Sequence, residues 1–192
     1  MASTEGARVL QVSAFEVERD TEQDDEDSRT LRSVSRSIDT REMGGPAVGG
    51  AIRACAAALE EFRAKEGYGR AISAVQVGFA MRLVYLNLGD SYSSAYGEQF
   101  SRPFAMLNPE LENLSEEKFR MWDDCLSLPN AMVLVERHRS CDVSFLDVNG
   151  RRHRWERLPI ELAELLQHEV RPSNAPPPHT RTLSHRAFRR VF

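Results

Sequence analysis

Two residues near the end of the chain, His168 and Glu169, are of the types that activate water. An imidazole can hold a metal ion, and a neighbouring carboxylate can take up a proton. On a helix, His-Glu is the first half of His-Glu-x-x-His, in which two histidines one turn apart ligate a metal and the glutamate acts as base. Here the position four residues on is Pro172, which carries no donor atom. By itself the pair reads as an ordinary surface pair on a helix, and only other residues can lift it above that. Two further stretches bear on the question. Trp122-Asp123-Asp124-Cys125-Leu126-Ser127-Leu128-Pro129 sets a cysteine among acids, although a lone cysteine before a strand is ordinarily a small buried hydrophobe. Gly69-Arg70-Ala71-Ile72-Ser73-Ala74-Val75-Gln76-Val77-Gly78 combines small residues with flanking glycines that let a backbone approach closely, and Gln76 offers an amide donor. Its plain alternative is a tight turn packed under a sheet.

The elements that must position these residues are legible in part. The stretch AIRACAAALEEFRAKEG, starting at Ala51, is rich in helix formers, with Ile52, Cys55, Leu59 and Phe62 spaced by threes and fours and Gly67 placed to stop it. Residues 82–88 alternate as a strand, and 104–107, 131–135 and 143–146 read as further short strands. Asn149-Gly150 is a turn pair that returns the chain into a hairpin partner at 153–157. The last helix has Pro159 in its first turn and Leu162, Leu165, Leu166 and Val170 on one face. It is expected to stop at His168 or Glu169, because Pro172 cannot donate to the carbonyl of His168 and its ring clashes there.

Composition bounds the rest. At 192 residues the chain can bury one real core, and 41% hydrophobic with 28% charged residues suggests a folded body with solvated segments. A formal charge of −4, from 29 acids and 25 bases, points to neither a nucleic-acid nor a membrane binder. Cys55, Cys125 and Cys141 are too few and odd for a disulfide framework, so a reducing compartment is the default. No apolar run approaches the ~18–20 residues that span a bilayer, and the first twenty residues lack the pattern of a leader. Residues 1–50 read as a mostly flexible segment, with an acidic linker at 16–30 and a glycine-rich hinge at 44–50; only Val9, Leu10, Val12, Phe15 and Val17 hint at docking. Residues 51–170 form the domain. Residues 171–192 are a basic, Pro-rich tail with no period, in which His179 and His185 read as solvated.

Taken together, the three clusters resemble the peptide deformylase family, whose motifs read Gly-x-Gly-Leu-Ala-Ala-x-Gln-x-Gly, Glu-Gly-Cys-Leu-Ser and Gln-His-Glu-x-Asp-His. Gly69, Ala74, Gln76 and Gly78 match the first, with Ile72 a near match; Cys125, Leu126 and Ser127 match the second; Gln167, His168 and Glu169 match the third. Asn108-Pro109, Arg137, Asp147 and Asn149-Gly150 fit the text between the motifs, so the resemblance runs over roughly residues 50 to 170.

The resemblance implies an α+β fold, with antiparallel sheets packed around a central helix that carries the metal motif. It implies a divalent metal, Fe2+ first, with Ni2+, Co2+ or Zn2+ as substitutes, held by Cys125 and His168. It implies Glu169 as the proton carrier, and the Gln76 amide with the Leu126 N–H as oxyanion donors. Gly69, Ala71 and Ile72 would meet the substrate. The implied reaction removes the formyl group from N-formyl-methionyl polypeptides as they are made, with the ribosome as a further partner. The implied compartment is the cytoplasm or an organelle such as the mitochondrion. The alternative is a non-catalytic relative that binds peptide N-termini or another protein. Each motif carries departures. Ala71, Ile72 and Ser73 stand where the first motif has Gly, Leu and Ala; Asp123-Asp124 replaces Glu-Gly, and Asp124 is expected to set a charge beside Cys125; Arg171 and Pro172 stand where an acid and the second histidine belong. That leaves two protein ligands where catalytic sites of this type have three.

Overall fold

The apolar stripe that includes Cys55 and Leu59 becomes part of the longest helix among the described residues. In the computed structural model, which describes residues 8–11, 26–170 and 188–190, a short helix α1 (Glu26–Arg32) and a 3-10 turn (Thr40–Glu42) precede α2 (Pro46–Glu66). Val48, Ala51, Cys55, Ala58 and Leu59 form its buried face. Gly67, in the left-handed region at φ 80°, ends it by donating to the Arg63 carbonyl. The glycine-rich stretch expected to be a hinge is thus the first turns of this helix. Pro46 pre-sets its opening, and burying Val48 and Ala51 outweighs the roughly 1 kcal/mol that a helical glycine costs. The acidic run also ends in a helix rather than a linker: the Gln11 N–H donates to the Asp27 carboxylate, and Leu10 is buried, as its apolar character suggested. Val12, Phe15 and Val17 lie outside the described residues.

The class is α+β, with antiparallel sheets as expected. Strands β1 (Ala71–Ser73), β2 (Leu83–Leu86), β3 (Phe104–Glu112), β6 (Asp142–Leu146) and β7 (Arg152–Trp155) form one sheet in the order β1-β2-β3-β6-β7. Strands β4 (Lys118–Cys125), β5 (Leu128–His138) and β8 (Phe188–Arg190) form the other, in the order β4-β5-β8. Helix α3 (Asp90–Tyr96) lies between β2 and β3 in the chain, and α4 (Ile160–Glu169) follows β7. The residues expected to be a structureless tail therefore include a short strand at 188–190, paired to β5 through Ala131↔Arg190 and Val133↔Phe188.

The chain clusters into two units. The first is built mainly from Ser35–Pro109 with Phe145–His153 and contains α2, β1 and β2. Its core is Leu59, Ile72, Leu83, Leu86, Met106 and Leu107, all fully buried. Asn108 sits at φ 49°, a conformation that its side chain secures by accepting from the Ile38 N–H and donating to the Ile38 carbonyl, both at 2.8 Å. The second is built mainly from Glu110–Ser144 and the chain after Arg154, and contains β4, β5 and α4. No disulfide joins Cys55, Cys125 and Cys141. Among the described residues no helix is long and apolar enough to cross a membrane.

Candidate active site

The second unit holds the cysteine and the histidine. Strand β4 pairs antiparallel with β5, with Asp123 opposite Val133 and Asp124 opposite Met132, and the register shifts between Asp124 and Cys125 so that Cys125 faces Leu128 across a two-residue turn at Leu126-Ser127. Side chains alternate along a strand, so Asp123 and Cys125 share the less exposed face while Asp124 points the other way and is exposed. The charge expected beside the thiol is therefore on the opposite face of β4.

Helix α4 delivers His168. Gln167, one residue before it, clamps the helix to the end of β5: its Oε1 accepts from the His138 N–H at 2.8 Å, and its Nε2 donates to the His138 carbonyl at 2.8 Å and the Ala163 carbonyl at 2.9 Å. His168 Nδ1 lies 2.9 Å from Asp123 Oδ2, and the ring also hydrogen-bonds the Cys125 side chain. Asp123 accepts in turn from the Arg137 guanidinium. The side chains of Asp123, Arg137 and His168 are only 12%, 19% and 19% exposed, so solvent screens these contacts far less than it screens a surface ion pair.

The electrostatics follow from this chain of contacts. Burial alone pushes the Asp123 carboxyl up, but the hydrogen bond and charge of His168, with those of Arg137, hold it below the usual carboxylate range. Burial likewise opposes charge on His168, yet its bonds to Asp123 and Cys125 and the nearby Glu169 raise it well above the ordinary histidine value. A carboxylate behind an imidazole fixes the tautomer and ring orientation and raises the basicity of the other nitrogen. Asp123 and Arg137, which the motif reading passed over as a substitution and as connecting text, are the residues that the structure sets behind His168. The period-2 placement of Asp123 with Cys125 is the signal that finds them.

Glu169 is the last residue of α4, half-buried, with its charge acting on the His168 ring. Leu126 lies in the β4–β5 turn directly after Cys125. Gln76 and the glycine-rich motif lie in the first unit. Gln76 is buried, and its Oε1 accepts from the Ser73 N–H and hydroxyl, both at 2.9 Å, which leaves donation to its amide nitrogen. Gly69 sits at φ +129°, where a Cβ would meet Leu59, Arg63 and Phe62 side-chain atoms at 3.2–3.3 Å, so no larger residue fits without strain. The side chains of Ala71 and Ile72 are buried, so what β1 can present to a ligand is its backbone.

A thiol and an imidazole oriented by a carboxylate suit a transition metal as two of its three protein ligands. Among the described residues, however, no group of three or more His, Cys, Asp and Glu is placed to hold a metal ion. Asp123 is occupied by His168 and Arg137, and α4 ends at Glu169 with Val170 already extended, at φ −99° and ψ 106°.

Known proteins match this arrangement. The polypeptide deformylase family model matches residues 8–172. A peptide deformylase of Chloroflexus aurantiacus is 31% identical over 117 residues, covering 58% of this chain and 61% of that protein. One from Rhizorhabdus wittichii is 36% identical over 102 residues, covering 53% and 56%. The chain thus spans about three fifths of the length of the curated relatives it matches. The crystal structure of a probable peptide deformylase from Synechococcus phage S-SSM7 superposes with a TM-score of 0.55 at 27% identity, over 73% of this chain and 85% of that one. Since the pattern runs through both units and takes in Cys125, His168 and the carboxylate behind it, the chain belongs to the polypeptide deformylase family.

Proposed function

We propose that this protein works on N-formyl-methionyl peptides, hydrolysing the formyl C–N bond to release formate and a free methionyl amine. The observation that carries the reading is the His168 ring held between Asp123 and Cys125. The family is one of metalloenzymes that act on nascent formyl-methionyl chains. Cys125 and His168 would hold a divalent metal, iron first. When bound, it supplies the Lewis acidity that makes water nucleophilic near neutral pH. The protein's own residues do the rest. Glu169, at the end of α4, accepts the proton of the attacking water and returns it to the leaving amine. The Gln76 amide and the Leu126 N–H stabilise the oxyanion that develops on the formyl oxygen, an effect worth about 3 kcal/mol per donor. With nascent chains as substrate, the ribosome is the further partner of this reading.

A second reading is favoured by one observation, the lack of a third donor among the described residues. With two ligands, metal affinity falls steeply, and what remains is a module that binds formyl-methionyl N-termini without cleaving them. Loading the protein anaerobically with iron or nickel, then measuring metal content and formate release from a formyl-Met peptide on the same sample, separates the two. Near-stoichiometric metal with turnover supports the hydrolase. Metal-free protein that retains peptide binding supports the module, and protein that does neither refutes both.

A further inference from the structure

The first unit carries an arginine directly before the open edge of its sheet. Strand β1 ends its sheet: it pairs with β2 through Ala71↔Leu86, Ile72↔Tyr85 and Ser73↔Val84, and among the described residues no strand lies along its other edge. The Arg70 carbonyl accepts from the Asn87 N–H at 2.9 Å. By the alternation of an antiparallel ladder, Arg70 and Ile72 then direct their backbone groups to β2, and Ala71 turns its N–H and carbonyl to the open edge. Such an edge accepts an extended peptide as an added strand.

Arg70 stands directly before that edge and is held there. Its Nη1 donates to the Tyr92 hydroxyl at 2.9 Å, and Tyr92 packs against Tyr96 within α3 at 5.7 Å between ring centroids. A second cation lies close by, since Arg63 Nη1 donates to the Asn87 carbonyl at 2.8 Å. Side chains on a peptide strand paired here would stand about 4.5–5.5 Å from their direct partners and about 7–8 Å from diagonal ones, within reach of a guanidinium. A planar guanidinium matches a carboxylate better than any other side chain does.

We propose that Arg70 is a specificity-determining residue that favours formyl-methionyl peptides with acidic side chains in the residues just after the methionine. The proposal rests on the formyl-peptide reading above. The bland role for Arg70 is an anchor that ties α3 to the start of β1 through Tyr92, and the test must move something an anchor would not.

The experiment measures binding of formyl-Met-Glu-Glu, formyl-Met-Ala-Ala and formyl-Met-Lys-Lys, each with a C-terminal fluorophore, to the full chain by anisotropy at low and high salt. The acidic peptide is expected to bind about three- to tenfold more tightly than the neutral one and the basic peptide more weakly, with the ranking flattened at high salt. In Arg70→Gln the acidic-to-neutral ratio falls to about one, while Arg70→Lys, which keeps the charge without the fork, retains part of it. Equal binding of the three peptides to the unmodified chain, or an acidic preference that survives Arg70→Gln, overturns the inference and leaves the formyl-peptide reading standing. No binding of any of the three defeats that reading and this inference with it. The salt dependence and Arg70→Lys decide the matter even if Arg70→Gln does not fold.

Discussion

Asp123 is the residue that links the histidine of the candidate site to the rest of its unit. It joins His168 to Arg137 at a place where both neighbours are largely shielded from water, so its charge acts on the ring at close range. Arg137 is held at two points, by Asp123 and by the Gln167 carbonyl at 3.3 Å, and its buried Nε is left without a hydrogen-bond partner among the described residues. Replacing Asp123 by Asn keeps the shape and removes the charge. Affinity for Co2+ is then expected to fall about 10–100-fold, read from the near-ultraviolet thiolate-to-cobalt absorption in competition with a chelator. Unchanged affinity would show that the carboxylate does not orient the ligand.

At the scale of elements, the end of α4 decides how much of the site exists. The helix stops at Glu169 and its C-cap, Val170, is extended. A third ligand on the same helix face needs one more turn, and a proline at 172 opposes that turn by removing a donor and restricting the residue before it. Pro172→His alone is nonetheless expected to leave metal content and formate release close to those of the unmodified chain, because Val170 is already extended and the substitution lifts the proline's restriction without adding anything that turns Val170 helical. Stoichiometric metal in that single variant would refute this account. What α4 does possess is its anchorage: Gln167 makes two hydrogen bonds to His138 that fix the helix to β5 and so fix the neighbouring His168 beside β4.

At the scale of the whole molecule, acid sensitivity is the property the charges predict. Asp147 illustrates it. The His153 side chain, 3.0 Å from its Oδ2, is the main influence that holds its carboxyl below the usual value against the opposing effect of burial, and the backbone N–H groups of Arg151 and Asn149 add to it. The His153 ring also stacks on Phe145. A carboxyl depressed in the folded state contributes stability that is present above its unfolded value, about 3.9, and is lost as pH falls through the lower folded value. The melting temperature should thus drop as pH is lowered through about 4, and Asp147→Asn should flatten that limb while lowering stability at neutral pH. A melting profile with the same acid limb in Asp147→Asn would count against it.

Much of this was written in local sequence. The spacing of Ile52, Cys55, Leu59 and Phe62 with Gly67 specified α2, and the leucines before His168 specified α4 and its end, because helical periodicity and stop signals act over a few residues. The three motifs were legible for the same reason: each is short and contiguous. The start of α2 was not, since two pairs of glycines read as a hinge until the burial of Val48 and Ala51 is counted. Nor was β4, whose mixed charged and aromatic residues make sense only when paired with β5. The sequence by itself determined which donors the motif positions carry: the Cys125 thiol, the His168 imidazole and, at 172, a proline where a second histidine belongs. Only tertiary structure decided that Asp123 rather than Asp124 faces the histidine, because the side of a strand on which a charge lies is set by pairing register and not by the identity of the residue.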